Sequence, residues 1–449
     1  MAKSKFIKLN TEMDEYLKLL REIIAIRSVS TDASYQTEIH KAVKWYKELL
    51  SRAGAEVEII SGYDNPFVIA KFLVDKSLST CLVYGHYDVQ PANIDEGWTS
   101  EPFSLRIDDQ RVYARGVVDN KGQALIHIYS VIRAFRENKL SKNVVFLLEG
   151  NEETGSPALP RFIKDKSKLL KADLALISDG EIVGSTPVIE AGFRGGFNST
   201  LQVKTADLDL HSGIYGGTAP NAAHELITIL TKLIDAKTYK VNIPGFYEDV
   251  DTITDDQLKN NKSIPFNSKD YKDISGIKVI LNEEYDVYTQ TGLLPSVQIT
   301  GISSGYNGQG YRNGIPAVAS AKINFRLVKS QSAQKITKQF REFIDKIKPS
   351  YAEIDLQIND PYEGVKLDLD NDHIRLAAKI INKTFGVDPV YKYSGGGLPI
   401  VTYLQDYLRI TPVLVPLGNE DCNMHAINEN YNLKVLKSAL DFSMLYFTS

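Results

Sequence analysis

Residues 81–90 read CLVYGHYDVQ, a short apolar run that gives way at once to an imidazole, His86, and a carboxylate, Asp88. A compact apolar run of this kind, with no polar alternation, is the pattern of a strand buried on both faces. The same grammar recurs along the chain. The run at 144–148 (VVFLL) is followed by Glu152 and Glu153, and the run at 174–177 (LALI) is followed by Asp179. A further strand is predicted over 67–74. Between these runs the apolar residues fall at helical spacing over 11–27 (Met13, Leu17, Leu20, Ile24), 38–52 and 121–137. Alternating helices and buried strands predict an α/β fold whose mixed sheet is covered by helices. In open sheets of this class, ligands bind in the crevice beyond the carboxyl ends of the strands.

After about residue 194 the pattern changes. Strands are predicted at 197–204, 296–302, 318–328 and 353–358, with helices at 220–235 and 333–347. That is the β-α-β-β-α-β order of a ferredoxin-like α+β sandwich. A polar segment rich in Tyr and Asp, 237–294, interrupts it and reads as an insertion. From about residue 364 the first pattern returns, with a helix over 374–384 and a strand over 412–416. The expected organisation is a catalytic domain in two parts, 1–193 and 364–449, with a lid or dimerisation domain, 194–363, inserted between them.

Bulk properties bound the function. The chain has 449 residues, 43% hydrophobic and 24% charged, with a formal net charge of −4. That balance gives no electrostatic ground for nucleic acid or an anionic membrane surface as partner. The first residues lack the apolar core of a secretion leader, and no apolar stretch approaches the roughly 20 residues that span a bilayer. Two cysteines, Cys81 and Cys422, are expected to remain reduced. The expected location is the cytoplasm.

The acidic and imidazole residues at the strand ends carry the chemistry. Asp119, in ARGVVDNKGQ just before the helix at 121, and His425, in NEDCNMHAINE after the strand at 412–416, join His86, Asp88, Glu152, Glu153 and Asp179 at the same edge. Imidazoles and carboxylates suit zinc and related divalent ions, and a carboxylate is the natural bridge between two of them. Asp88 is placed to accept the second ring N–H of His86 and so fix its tautomer. One member of the Glu152–Glu153 pair is a candidate base for an attacking water. Taken singly, each of these acids reads as readily as a helix cap or a solvated turn residue; the series is what argues for a site.

GHYDVQP, ARGVVDNKGQ, EGNEETGS, SDG and HAINE together resemble the motif series of the aminoacylase, carboxypeptidase and dipeptidase superfamily of co-catalytic zinc exopeptidases, over nearly the whole chain. The Trp98 segment GWTSEPF and the large insertion resemble the cytosolic non-specific dipeptidase (carnosinase-like) branch. The resemblance implies two divalent ions, zinc with manganese or cobalt as options. Asp119 would bridge them, His86 and Asp179 would complete one site, and Glu153 and His425 the other. It implies Glu152 as general base, Asp88 as the partner of His86, and a cis peptide between Asp119 and Asn120. In the inserted domain, LDLHSGIYGG implies that His211 reaches across a homodimer to an oxyanion. NFRLV implies that Arg326 grips a substrate carboxylate, and Asn313 matches a further polar contact. SGGGLP, with Gly396 and Gly397, matches a substrate loop whose usual Ser is here Gly397; Ala426 likewise stands where Ser is common.

The implied activity is hydrolysis of dipeptides or short peptides bearing a free carboxylate. The alternatives are an N-acyl amino acid deacylase, such as a desuccinylase or deacetylase, and a non-catalytic scaffold of the same fold. His40, His127, His224 and His373 lie in helical patterns and read as surface or packing residues. Arg326 also reads as a charge on the solvent side of an alternating strand. The stretch 301–305 matches G-x-S-x-G, but the Gly-rich sequence after it supplies no helix, so a turn between strands is expected.

Overall fold

The computed structural model describes residues 11–449 apart from residues 109, 282 and 283. The beginning of the chain, on which the leader reading rests, lies outside the described residues. The strand Thr80–His86 runs through the middle of a six-stranded sheet. Asn143–Glu149 and Leu174–Ile177 flank it in parallel, and Pro412–Leu414 extends the sheet in parallel beyond Leu174–Ile177. On the other side Phe67–Phe72 pairs antiparallel with Asn143–Glu149, and Glu56–Ile60 pairs antiparallel with Phe67–Phe72. The sheet is mixed, as expected.

Every residue of Asn143–Glu149 is buried, which accounts for the unbroken apolar run 144–148 within it: neither face meets water. Helix Lys121–Arg136 packs between Thr11–Ile24 and Leu433–Thr448, while Gln36–Arg52 lies on the two antiparallel strands. The four parallel strands share one direction, so His86, Glu149, Ile177 and Leu414 end at a common edge. His86 is the last residue of its strand, one step inside the position expected from its sequence. Its side chain is therefore held by the ladder and not by a loop.

A second, four-stranded antiparallel sheet has the order Ser296–Ser304, Val318–Leu327, Gly195–Lys204, Glu353–Tyr362. With helices Ala222–Leu233 and Ala333–Ile347 it follows the β-α-β-β-α-β succession. Its core is its own: Phe197, Leu201, Leu226, Ile229, Phe325 and Phe340 form a cluster distinct from that of the larger sheet. Residues 301–304 finish a strand and Gly305 begins the following turn. No helix follows there, so the G-x-S-x-G match has no elbow.

Among the described residues, the polar segment within 237–294 contains three short helices, Asp255–Ser263, Ser268–Ser275 and Val287–Leu293. Thr254 and Gln257 form a capping box at the first. Asn260 Nδ2 donates to the Tyr391 carbonyl at 2.5 Å, tying this segment to the strand Val390–Ser394 where the chain returns to the first core. Both cysteines are buried free thiols. Among the described residues no helix is long and apolar enough to cross a membrane.

Candidate metal centre and active site

The parallel edge collects the expected side chains. Asp119 arrives on the turn that precedes helix Lys121–Arg136, through a cis peptide to Asn120. Its Oδ1 lies 3.1 Å from Nε2 of His86, and its Oδ2 lies 2.7 Å from Nε2 of His425. Asp179 Oδ2 stands 3.7 Å from Nε2 of His86, and Glu153 Oε2 3.2 Å from Nε2 of His425. Two three-residue groups result: His86, Asp119 and Asp179, then Asp119, Glu153 and His425, each with its candidate ligand atoms within 4.8 Å of one another. Asp119 belongs to both and turns a different oxygen to each.

Asp88 supports this arrangement from beneath. Its side chain is fully buried, with Oδ1 3.3 Å from Nδ1 of His86. Its Oδ2 accepts from Ser30 Oγ at 2.6 Å and from the Glu153 backbone N–H at 3.1 Å, while Oδ1 accepts from the Glu152 N–H at 3.3 Å. The Asp88 backbone carbonyl, 3.1 Å from the same Nδ1, shares in placing the His86 ring, while the carboxylate also places the 3₁₀ turn that bears Glu152 and Glu153. Gln90 Nε2 donates to Glu153 Oε2 at 2.7 Å.

Burial and neighbouring charge shift the ionisable groups of the cluster in opposite directions. Burial raises the Glu152 carboxyl above its ordinary range, and the neighbouring charges of Asp119, Glu153 and Asp88 add to the rise against the opposing pull of His86. Asp179 is raised well above its ordinary value, again by burial first, with Asp119 and Glu152 adding and His86 opposing. Burial also works to raise Asp119, but hydrogen bonds from His425 and His86 outweigh it and hold it low. His425 is pushed up to about 10 by its hydrogen bond to Asp119 and then by Glu153. Burial lowers His86, yet Asp119 and Asp88 more than compensate. Five carboxyl groups facing two imidazoles leave surplus negative charge in a low-dielectric crevice, and that donor set fits two divalent cations.

Two further residues organise the centre and had no role assigned from sequence. Glu429, buried, accepts from the backbone N–H groups of Gly116 (2.9 Å), Val118 (2.8 Å) and Asp119 (3.1 Å). It also pairs with buried Arg115 at 2.9 Å. This shapes the turn that delivers Asp119. Both residues stand inside the motifs ARGVVDNKGQ and HAINE; a charge in otherwise apolar company was the available signal. His127 donates to or accepts from Ser178 Oγ (2.8 Å) and Ser443 Oγ (3.0 Å) in the core, in keeping with a packing role.

The remaining candidates lie on other elements: His211 in the short strand Leu210–His211, Asn313 just before its partner strand Gly314–Ile315, Arg326 in Val318–Leu327, and Gly396 and Gly397 in the loop after Val390–Ser394. His211 and Asn313 are exposed neighbours: His211 pairs with Gly314, and the Ser212 N–H donates to the Asn313 carbonyl at 3.0 Å. Neither belongs to the metal-ligand groups of its own chain. Arg326 is half-buried and donates through Nη1 to the Tyr362 hydroxyl at 3.1 Å. Gly397 lies against Tyr362, whereas Gly396 has open space around it.

The model of peptidase family M20/M25/M40 matches residues 82–447. The chain belongs to this family. Within it, the chain is 31% identical to the Cys-Gly metallodipeptidase DUG1 of Saccharomyces cerevisiae, covering 96% of this chain and 94% of that protein. It is 28% identical to the human Beta-Ala-His dipeptidase, over 95% of this chain and 88% of that one. Among solved structures, the M20 family metallo-carboxypeptidase Sso-CP2 from Sulfolobus solfataricus superposes with a TM-score of 0.86 at 26% identity, covering 98% and 99% of the two chains. This M20 peptidase is an enzyme, which removes the non-catalytic scaffold from the alternatives.

Proposed function

We propose that this enzyme hydrolyses the amide bond of dipeptides and short peptides with a free carboxylate. The observation that carries the proposal is Asp119, whose two oxygens face two separate groups of candidate ligands. In this reading His86, Asp119 and Asp179 would hold one divalent ion, and Asp119, Glu153 and His425 would hold the other. These donors would suit zinc, and manganese and cobalt as well. When bound, the ions supply Lewis acidity, polarising a carbonyl and making water nucleophilic near neutral pH.

The protein's own groups do the rest. Asp88 keeps the proton of His86 on Nδ1, so that the Nε2 lone pair would be free to ligate an ion. Glu152, buried and shifted upward, takes the proton of the attacking water and passes it to the leaving amine. Arg326 holds the substrate carboxylate in its planar fork, with Asn313 as a polar contact and the loop at Gly396 and Gly397 forming the wall. His211 acts in a homodimer, reaching the partner's site to stabilise the oxyanion. What supports a dimer is the surface beside it: Leu208 is 65% exposed, Ile214 70% and Tyr311 100%. The parts 1–193 and 364–449 form the catalytic domain and 194–363 the lid. Two free buried thiols agree with a cytoplasmic location.

Purified, metal-loaded protein assayed on a panel of dipeptides beside N-acetyl and N-succinyl amino acids tests the proposal. Turnover confined to dipeptides is expected. Turnover confined to the acylated amino acids would assign the enzyme to the deacylases instead.

A further inference from the structure

Arg326 and Tyr362 stand on opposite sides of one glycine. Both pair with Gly196 of the central strand, Arg326 in Val318–Leu327 and Tyr362 in Glu353–Tyr362. Directly paired residues share a face of a sheet, so the two long side chains project together over a position with no side chain of its own. They meet there, Arg326 Nη1 donating to the Tyr362 hydroxyl oxygen at 3.1 Å. A phenol carries one proton and can accept as well as donate. The oxygen of Tyr362 accepts from Arg326, and its proton finds no acceptor among the described residues.

The surroundings are cationic and lack a balancing acid. Arg194, half-buried, donates to the carbonyls of Gly395 and Leu294 and to Ser296 Oγ at 3.1–3.2 Å. Burial and then the nearby charge of Arg326 push its guanidinium down to about 10. No ion pair of either guanidinium occurs among the described residues. Arg194 also fastens the loop that brings Gly397 onto Tyr362. A Cβ at position 397 would lie 2.7 Å from the Tyr362 hydroxyl and 2.8 Å from its ring, closer than real Cβ contacts allow. A side chain at 397 and the phenol in this position exclude each other.

We propose that Tyr362 determines specificity by donating its free hydroxyl proton to the substrate carboxylate held by Arg326, from the space that glycine at 397 leaves open. The pair reads a carboxylate in two ways at once: the guanidinium supplies charge, and the phenol supplies a directed donor that an uncharged amide cannot match as well. The inference rests on the proposed role of Arg326 as the carboxylate clamp.

The test uses the metal-loaded full chain with Tyr362→Phe, Arg326→Ala and the double variant, on a dipeptide and on its C-terminal amide. Tyr362→Phe keeps the ring and its packing. It is expected to raise KM for the dipeptide about tenfold with kcat little changed, and to leave kcat/KM for the amide unmoved. The double variant is expected to be no worse than Arg326→Ala alone, since the phenol has then lost its anion. A dipeptide KM that rises with Arg326→Ala and is blind to Tyr362→Phe would remove Tyr362 and keep the clamp. Indifference to Arg326→Ala, or no hydrolysis by the parent protein, would remove the underlying reading and Tyr362 with it.

Discussion

Oδ1 of Asp88 lies 3.3 Å from Nδ1 of His86, and the same carboxylate accepts the backbone N–H groups of Glu152 and Glu153. A buried acid that serves a ring on one strand and a turn after another couples two parts of the centre. Asp88→Asn replaces one acceptor oxygen with a donor NH₂ and turns it toward N–H groups that need an acceptor. Metal affinity or turnover is expected to fall about 10- to 100-fold. Metal titration followed by assay at saturating metal separates the two losses.

Glu152 sits in the same turn but belongs to neither ligand group. Glu152→Gln preserves shape and removes the proton acceptor. Turnover is expected to drop by about a hundred- to ten-thousandfold, with two ions per chain still bound. Retained turnover would transfer the role of base to another group; lost metal would make Glu152 a ligand.

Glu429 gathers three backbone N–H groups and Arg115 at the turn before Asp119. Glu429→Ala strands a buried guanidinium and those donors together. A destabilisation on the order of 3–5 kcal/mol is expected, because breaking a buried pair leaves its survivor uncompensated. Denaturant unfolding of the metal-free protein measures it without interference from bound ions.

The strand-and-site pattern was legible because buried parallel strands write their burial directly into apolar runs, and the polar residue that ends each run falls at the sheet edge. Glu56–Ile60, with one face largely exposed, and Val188–Phe193, split by Glu190 and Gly192, lack that contrast and were not singled out. Helix Leu433–Thr448 was also missed: it buries Leu433, Leu436, Leu440, Phe442 and Phe447 among others, so its amphipathic period is weak. Arg115 and Glu429 lie far apart in sequence, and only the tertiary fold shows that one acid accepts from a turn so distant. Tyr362 carried no signal, since its meaning comes from pairing across Gly196.

His127 gives a pH signature separate from catalysis. Burial pushes its imidazole down to about 3, against an unfolded value near 6.5. Between those values the unfolded chain binds a proton that the folded chain refuses, so stability present above pH 6.5 is lost as pH falls toward 3. The loss attributable to this ring approaches about 1.4 kcal/mol per pH unit near pH 5. Denaturant unfolding of wild type and His127→Gln between pH 7 and 4 should show the variant with the shallower slope. Equal slopes would mean that His127 takes up its proton in the native state.

His211 offers a test of assembly and chemistry together. It is exposed, its Nδ1 accepts from the Gly213 N–H at 3.0 Å, and it lies in neither ligand group of its own chain. If it serves the partner's site, His211→Ala and Glu152→Gln fail for complementary reasons: one chain keeps a working base, the other a working imidazole. Mixing the two inactive proteins under exchange conditions then builds heterodimers with one complete site in two. Half of the dimers are mixed at equal input, so activity should return to about a quarter of wild type, as closed two-fold pairing requires. Recovery depends on exchange, which size-exclusion chromatography of differently tagged chains confirms. Exchange without recovery would place His211 in the service of its own chain or of none.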